Sequence, residues 1–121
     1  MEMGIFDGFK KHYETGDQVG DAMLVTHYYR NNYQQVKKGL LETADTLGFN
    51  VAYINDERKE FVFKRKDCEI IVTVINITPI ETTVDFTINT YGVLSFGKGR
   101  KVIDELYKDL DKRLMLKGRG V

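Results

Sequence analysis

TTVDFTINTY, residues Thr82 to Tyr91, alternates along its whole length. Val84, Phe86 and Ile88 point one way from an extended chain, while Thr83, Asp85, Thr87 and Asn89 point the other. A period of two with one dry and one wet side is the pattern of a strand packed on one face only. The stretch therefore predicts an antiparallel sheet with a single covered face. Immediately upstream, Glu69 to Ile77 places Ile70, Val72 and Val74 on one side and Ile71, Ile75 and Ile77 on the other. The chain's only proline breaks this run, at Thr78-Pro79-Ile80-Glu81.

Earlier still, Phe61-Val62-Phe63 and the alternating Phe49, Val51 and Tyr53 read as two more strands. Asn55 to Arg58 and Lys66-Asp67 are short, polar links. Parallel neighbours would need a dozen or more residues to cross over, so links this short make an up-and-down meander. A helix over about Asn32 to Leu47 precedes it, with Tyr33, Val36, Leu40, Ala44 and Leu47 in one stripe. Asn32 and Gln35 stand at capping-box spacing, and Gly48 stands where a helix-ending glycine belongs. A second helix is predicted from about Gly99 to Leu116, turning Val102, Ile103, Leu106, Tyr107, Leu110 and Leu114 inward. Met23 to Arg30 reads equally as a strand or as an extended lead-in.

The expected fold is α+β: a helix, a four-stranded antiparallel meander and a second helix, with both helices on one face of the sheet. Residues 1–21 form a glycine-containing N-terminal segment, 22–116 a single domain, and 117–121 a flexible tail. The apolar side of the third strand, turned away from the helices, calls for a cover from the N-terminal segment or a second subunit.

At 121 residues the chain suits one domain. It carries 18 basic and 18 acidic residues, so nothing in its net charge demands a polyanionic partner. Cys68 is the sole cysteine, which excludes an internal disulfide, and its neighbours Asp67 and Glu69 disfavour a reactive thiolate. No run approaches a membrane span and no signal-peptide core is visible, so the cytoplasm is the expected compartment.

Gly92-x-x-x-x-Gly97-Lys98 spells most of a phosphate-binding loop, but Gly99 stands where Ser or Thr must ligate the metal. The interior Val93-Leu94-Ser95-Phe96 is bulky, and the strand before it belongs to an antiparallel run, so NTPase chemistry is not expected. A weaker anion site remains: Gly97, Lys98, Gly99, Arg100 and Lys101 crowd the start of the last helix. Solvated surface lysines are the plainer reading of the same residues.

Two histidines, His12 and His27, supply no metal-ligand spacing, and no metal or cofactor is expected. Tyr28 and Tyr29 beside His27 could stack on a ligand ring, although aromatics leading into a helix more often pack against it. Glu81 and Asp85 share a strand with Thr83, Thr87 and Asn89, more simply the wet side of a sheet than an acid–base pair. Lys98 to Arg119 is basic, yet in a neutral protein this is too narrow a field to predict nucleic-acid binding. At the other end, Ile5, Phe6, Phe9 and Tyr13 would share one face of a helix flanked by Lys10 and Lys11. That is the pattern of a short interfacial membrane anchor, or of a plug for the open sheet face.

The stretches THYYRNNY (26–33), TTVDFTI (82–88) and FGKGRKVIDELYKDLDKRL (96–114) together resemble small cytosolic proteins of unassigned role in Gram-positive bacteria. The similarity spans about Met23 to Leu116 and implies a compact α+β body, with no activity to carry over. The leading functional expectation is a non-catalytic interaction domain that self-associates, as a homodimer. A phosphate-type anion binder and a peripheral membrane module follow in that order. An enzyme comes last, for want of a nucleophile–base pair.

Overall fold

The computed structural model describes residues 10–14, 25–91 and 97–119. In chain order these form β1 (Lys10–Glu14), β2 (His27–Tyr29), α1 (Tyr33–Thr46), β3 (Asn50–Asn55) and β4 (Glu60–Arg65). β5 (Cys68–Thr78), β6 (Glu81–Tyr91), α2 (Lys98–Arg113) and β7 (Leu116–Arg119) complete the set. The protein is α+β, and every strand pairing among the described residues is antiparallel.

The sheet runs β3-β4-β5-β6-β2-β7, with β1 also paired to β6. The expected meander is present as β3 to β6, but among the described residues it is only part of a sheet of seven strands. β2 pairs with Thr82 to Val84 and β1 with Thr87 to Tyr91, so the two share one edge of β6 end to end. β7 then adds to β2. The reason lies in β6 itself: eleven residues long, it would otherwise leave a row of unpaired backbone groups on that side.

Two sequence expectations change here. Lys10–Glu14 is extended, so Tyr13 does not lie on a helix with the residues before it, and Ile5, Phe6 and Phe9 fall outside the described residues. Leu116–Arg119 is a strand where the last helical residue, Leu116, and the start of a flexible tail over 117–121 were expected, and α2 accordingly ends at Arg113. Three-residue β2 lies within the stretch that read equally as a strand or a lead-in, and charged β7 is too polar to announce itself; their partners create them.

Register explains the core. Phe61 faces Val72, which faces Phe86; Phe63 faces Ile70, which faces Ile88. Val74 faces Val84, which faces His27. These rows lie on one face, and their apolar members form a single cluster with Val36, Leu40 and Ala44 of α1 and Val102, Ile103, Leu106, Tyr107 and Leu110 of α2. Burying each phenylalanine contributes roughly 1.5–3 kcal/mol.

Local chemistry fixes where α1 starts and stops. The Asn32 side chain accepts from the Gln35 N–H at 2.9 Å, and the Gln35 side chain accepts from the Asn32 N–H at 3.0 Å. This is the predicted capping box. At the other end Phe49 N–H donates to Ala44 O and Gly48 N–H to Asp45 O, with Gly48 at φ +79°. That paired pattern needs a left-handed residue, which glycine supplies without strain.

α1 and α2 meet at Gly39, where an added Cβ would lie 3.1 Å from Leu114 and 3.3 Å from Leu110. Gly39→Val should therefore destabilise the protein by about 1–3 kcal/mol through overpacking, read as a lowered urea midpoint. An unchanged midpoint would show that this crossing is looser than its distances imply.

Candidate functional site

Three places gather functional side chains. The first is the start of α2, where the anion candidates lie. Gly97 turns the chain at φ +73° and its carbonyl accepts from Lys101 N–H at 3.2 Å. Lys98 points to Asp67, with Nζ 3.1 Å from Oδ2. Gly99 is buried, Arg100 half-buried and Lys101 exposed, while Gly92 to Phe96 lie outside the described residues.

Asp67 belongs to the turn between β4 and β5, and Arg65 grips it with Nε to Oδ1 at 2.7 Å and Nη2 to Oδ2 at 3.2 Å. The same guanidinium donates to Leu47 O at 2.9 Å, capping the end of α1, and lies 4.4 Å over the Phe49 ring. Hydrogen bonds from Arg65, then from Lys98, hold the Asp67 carboxyl well below the usual carboxylate range. One carboxylate thus joins the α1 end, the β4–β5 turn and the α2 start. An external anion at Lys98 would have to compete with it. The strand leading to this helix start is antiparallel to its neighbours, which is not the setting of a phosphate-binding loop.

Next to Asp67, Cys68 is free and fully buried. Burial, aided by the Asp67 charge, pushes its thiol up to about 11, so it stays protonated and unreactive at neutral pH.

The second place holds the His27 and Tyr29 that the sequence singled out, together with a partner, Asp111, that it did not. His27 and Tyr29 leave β2 towards α2, and both meet Asp111. Tyr29 OH donates to Asp111 Oδ1 at 2.6 Å, and His27 Nδ1 lies 3.0 Å from the same oxygen. Tyr107 stacks on the His27 ring at 3.6 Å and donates its own hydroxyl to Val84 O at 2.6 Å. Burial first, and the Asp111 carboxylate next, raise the Tyr29 hydroxyl far above its ordinary value.

The Asp–His pair has the look of half a charge relay. Yet the His27 side chain is 5% exposed, and one ring face is covered by Tyr107. A substrate has no access to it, and the cluster acts as a polar clamp holding α2 to β2. The partners stand 84 residues apart, and no local pattern could have paired them.

The third place is the surface. A cleft of about 210 Å³ lies between α1 and the end of α2, lined by Asn31, Gln35, Lys38, Gly39, Glu42, Arg113 and Leu114. Much of its polar lining is engaged internally. Asn31 donates to Gln35 at 3.2 Å and accepts from Met115 N–H at 2.8 Å, while Arg113 is held by Asp109 at 2.8 Å and Thr46 at 2.7 Å. Elsewhere the strands expose apolar groups: Val51, Tyr53 and Ile54 on β3, and Ile75, Ile77 and Ile80 at the β5–β6 turn. On the sheet face away from the helices, Val62 and Ile71 are half-buried, and Asp85 accepts from Thr26 at 2.6 Å.

Among the described residues no group of three or more metal-ligating side chains comes together, and no helix is long and apolar enough to cross a membrane. Comparison of the chain with protein-family models and with curated proteins returned no match.

Two outcomes test the polar clusters. Asp67 owes its lowered pKa to partners present only in the fold, so its contribution is complete above the unfolded value of about 3.9 and is lost as pH falls below it. Asp67→Asn should lower stability at neutral pH by about 1.5–3 kcal/mol and flatten the acid limb of a urea-midpoint profile. Asp111→Ala should cost about 1–3 kcal/mol by stranding the Tyr29 hydroxyl, with Tyr29→Phe in the same chain restoring part of the loss. Strictly additive losses would mean the two groups do not interact.

Proposed function

We propose that this chain is a non-catalytic interaction domain, acting in the cytoplasm, that self-associates through the outer edge of β3. The observation that carries the reading is the contrast between the two ends of the sheet. β7 is four residues long and carries Lys117 and Arg119, the kind of charge that keeps an edge from pairing with strangers. β3 is six residues long and reads Asn-Val-Ala-Tyr-Ile-Asn, with neither charge nor proline. Val51, Tyr53 and Ile54 are 41%, 47% and 40% exposed.

An unguarded apolar edge is a template for another strand. A second copy fits it best, because β3 set antiparallel to β3 is self-complementary and closes as a two-fold pair. Equal numbers of acidic and basic residues leave no net repulsion between copies. The register supports the same geometry. Val51 pairs with Phe63 and Ile54 with Phe61, so both continue rows of the helix-covered face, while Tyr53 pairs with Val62 on the other. The bulge between Val51 and Tyr53 brings Val51 and Ile54 to one side and leaves Tyr53 to Asn55 regular. Pairing of two such edges would extend the core across the two-fold axis.

Light scattering coupled to gel filtration tests this. The full chain should run at twice its 14.0 kDa mass, and Tyr53→Lys with Ile54→Lys should return it to the single-chain mass without loss of fold. A wild-type protein of single-chain mass at all concentrations ends the reading.

A further inference from the structure

The chain as a whole is neutral, but the fold does not spread its charge evenly. Three stretches remote in sequence meet at the end of the sheet where α2 begins. β6 ends there at Tyr91, whose N–H donates to Asp67 O in the β4–β5 turn at 2.9 Å. Lys10 of β1 pairs with Tyr91, and Lys98 of α2 reaches Asp67 at 3.1 Å. The stretches Lys10-Lys11, Lys64 to Glu69 and Gly97 to Lys101 together hold eight basic residues and two acidic ones. Counting Glu105 of α2 and Asp45 at the end of α1 as neighbours still leaves an excess of four positive charges. Asp104 is matched by Lys108 at 2.9 Å. In the sequence Lys98 to Arg119 is too narrow a field for nucleic acid; the fold widens it with β1 and the β4–β5 turn.

The acids of this end are already engaged. Asp67 answers Arg65 and Lys98, and Glu69 lies 4.0 Å from Lys64. Lys66 and Lys101 are exposed, and neither has a carboxylate partner among the described residues. The first turn of α2 carries no acid, and Gly97 before it has no side chain to cap the helix. Cations at the positive end of a helix dipole are unfavourable, and an anion brought among them relieves that repulsion.

We propose that this basic end docks a single-stranded nucleic acid, with its phosphates drawn to Lys66 and Lys101. Tyr91, 44% exposed, stands between Lys10 and Asp67 and offers a ring on which an unpaired base can stack. A duplex fits less well, because α1 and α2 both pack against the sheet and neither is free to enter a groove. A membrane also fits less well: Ile75, Ile77 and Ile80, which could enter an acyl layer, lie at the opposite end of the sheet. The inference uses no residue of the β3 edge, so it stands apart from the self-association reading.

Fluorescence anisotropy of a labelled oligodeoxythymidylate tests it, with a probe of about 20 nucleotides to exceed the ~4–16 that single-strand modules cover. The full chain should raise the anisotropy at low salt, and affinity should fall steadily as salt is added. Lys66→Glu with Lys101→Glu should weaken binding by roughly tenfold or more while leaving the thermal transition in place, since both side chains are exposed. Lys38→Glu with Lys112→Glu makes the same change in net charge away from this end, and should leave affinity nearly unchanged. Tyr91→Ala should weaken binding by about tenfold, and Tyr91→Phe should retain it.

Unchanged anisotropy with the wild type overturns the proposal, as does a Lys66→Glu/Lys101→Glu variant that binds normally. Equal losses in both lysine pairs would show attraction to net charge alone and overturn the assignment to this end. A duplex of the same length bound as tightly, with Tyr91→Ala harmless, overturns the single-strand assignment. Sedimentation with phosphatidylserine vesicles in the absence of oligonucleotide binding gives the surface to a membrane instead.

Discussion

Phe61, Val72 and Phe86 stand side by side on three neighbouring strands, and Phe63, Ile70 and Ile88 form the row beside them. Both helices rest on these rows. Slipping any pairing by one residue would turn a phenylalanine or isoleucine to the opposite face and bring a threonine, aspartate or glutamate beneath the helices. Register is therefore strongly specified in the centre of the sheet. It weakens outwards, where β3 is exposed along its length and carries a bulge. The stability of the domain and its open surface follow from the same gradient.

Polar side chains then fasten the two helices at chosen points. Asp67, gripped by Arg65, meets Lys98 at the start of α2, and Asp111 near the end of α2 receives Tyr29 and His27. These contacts use the residue types that sequence reading associates with anion binding and acid–base work. Inside the fold the partners answer one another, so their chemistry is spent on positioning α2.

What remains unanswered within the described residues is largely apolar and peripheral. One long sheet edge lacks the usual charged guards, and one hairpin lifts isoleucines clear of its neighbours. A flat edge with main-chain donors and acceptors is a template for another strand.

Several elements could be read directly from the residues, because their signals are local. The alternation of Thr82 to Tyr91 needs only a period of two, and the box at Asn32 and Gln35 and the turn at Gly48 span at most six residues each. The candidate sites were less legible. Lys98 could be placed at a helix start, but not beside Asp67, and His27 gave no hint of Asp111, because those contacts join distant parts of the chain. β1 and β7 escaped notice, and β2 could not be told from an extended lead-in, for a related reason: a short or polar segment becomes a strand when an unsatisfied edge lies beside it. The sequence alone determined the α+β class, the central meander and the caps of α1. The tertiary structure decided how wide the sheet grew, which charges were neutralised from within and which apolar groups stayed in water, since each depends on neighbours remote along the chain.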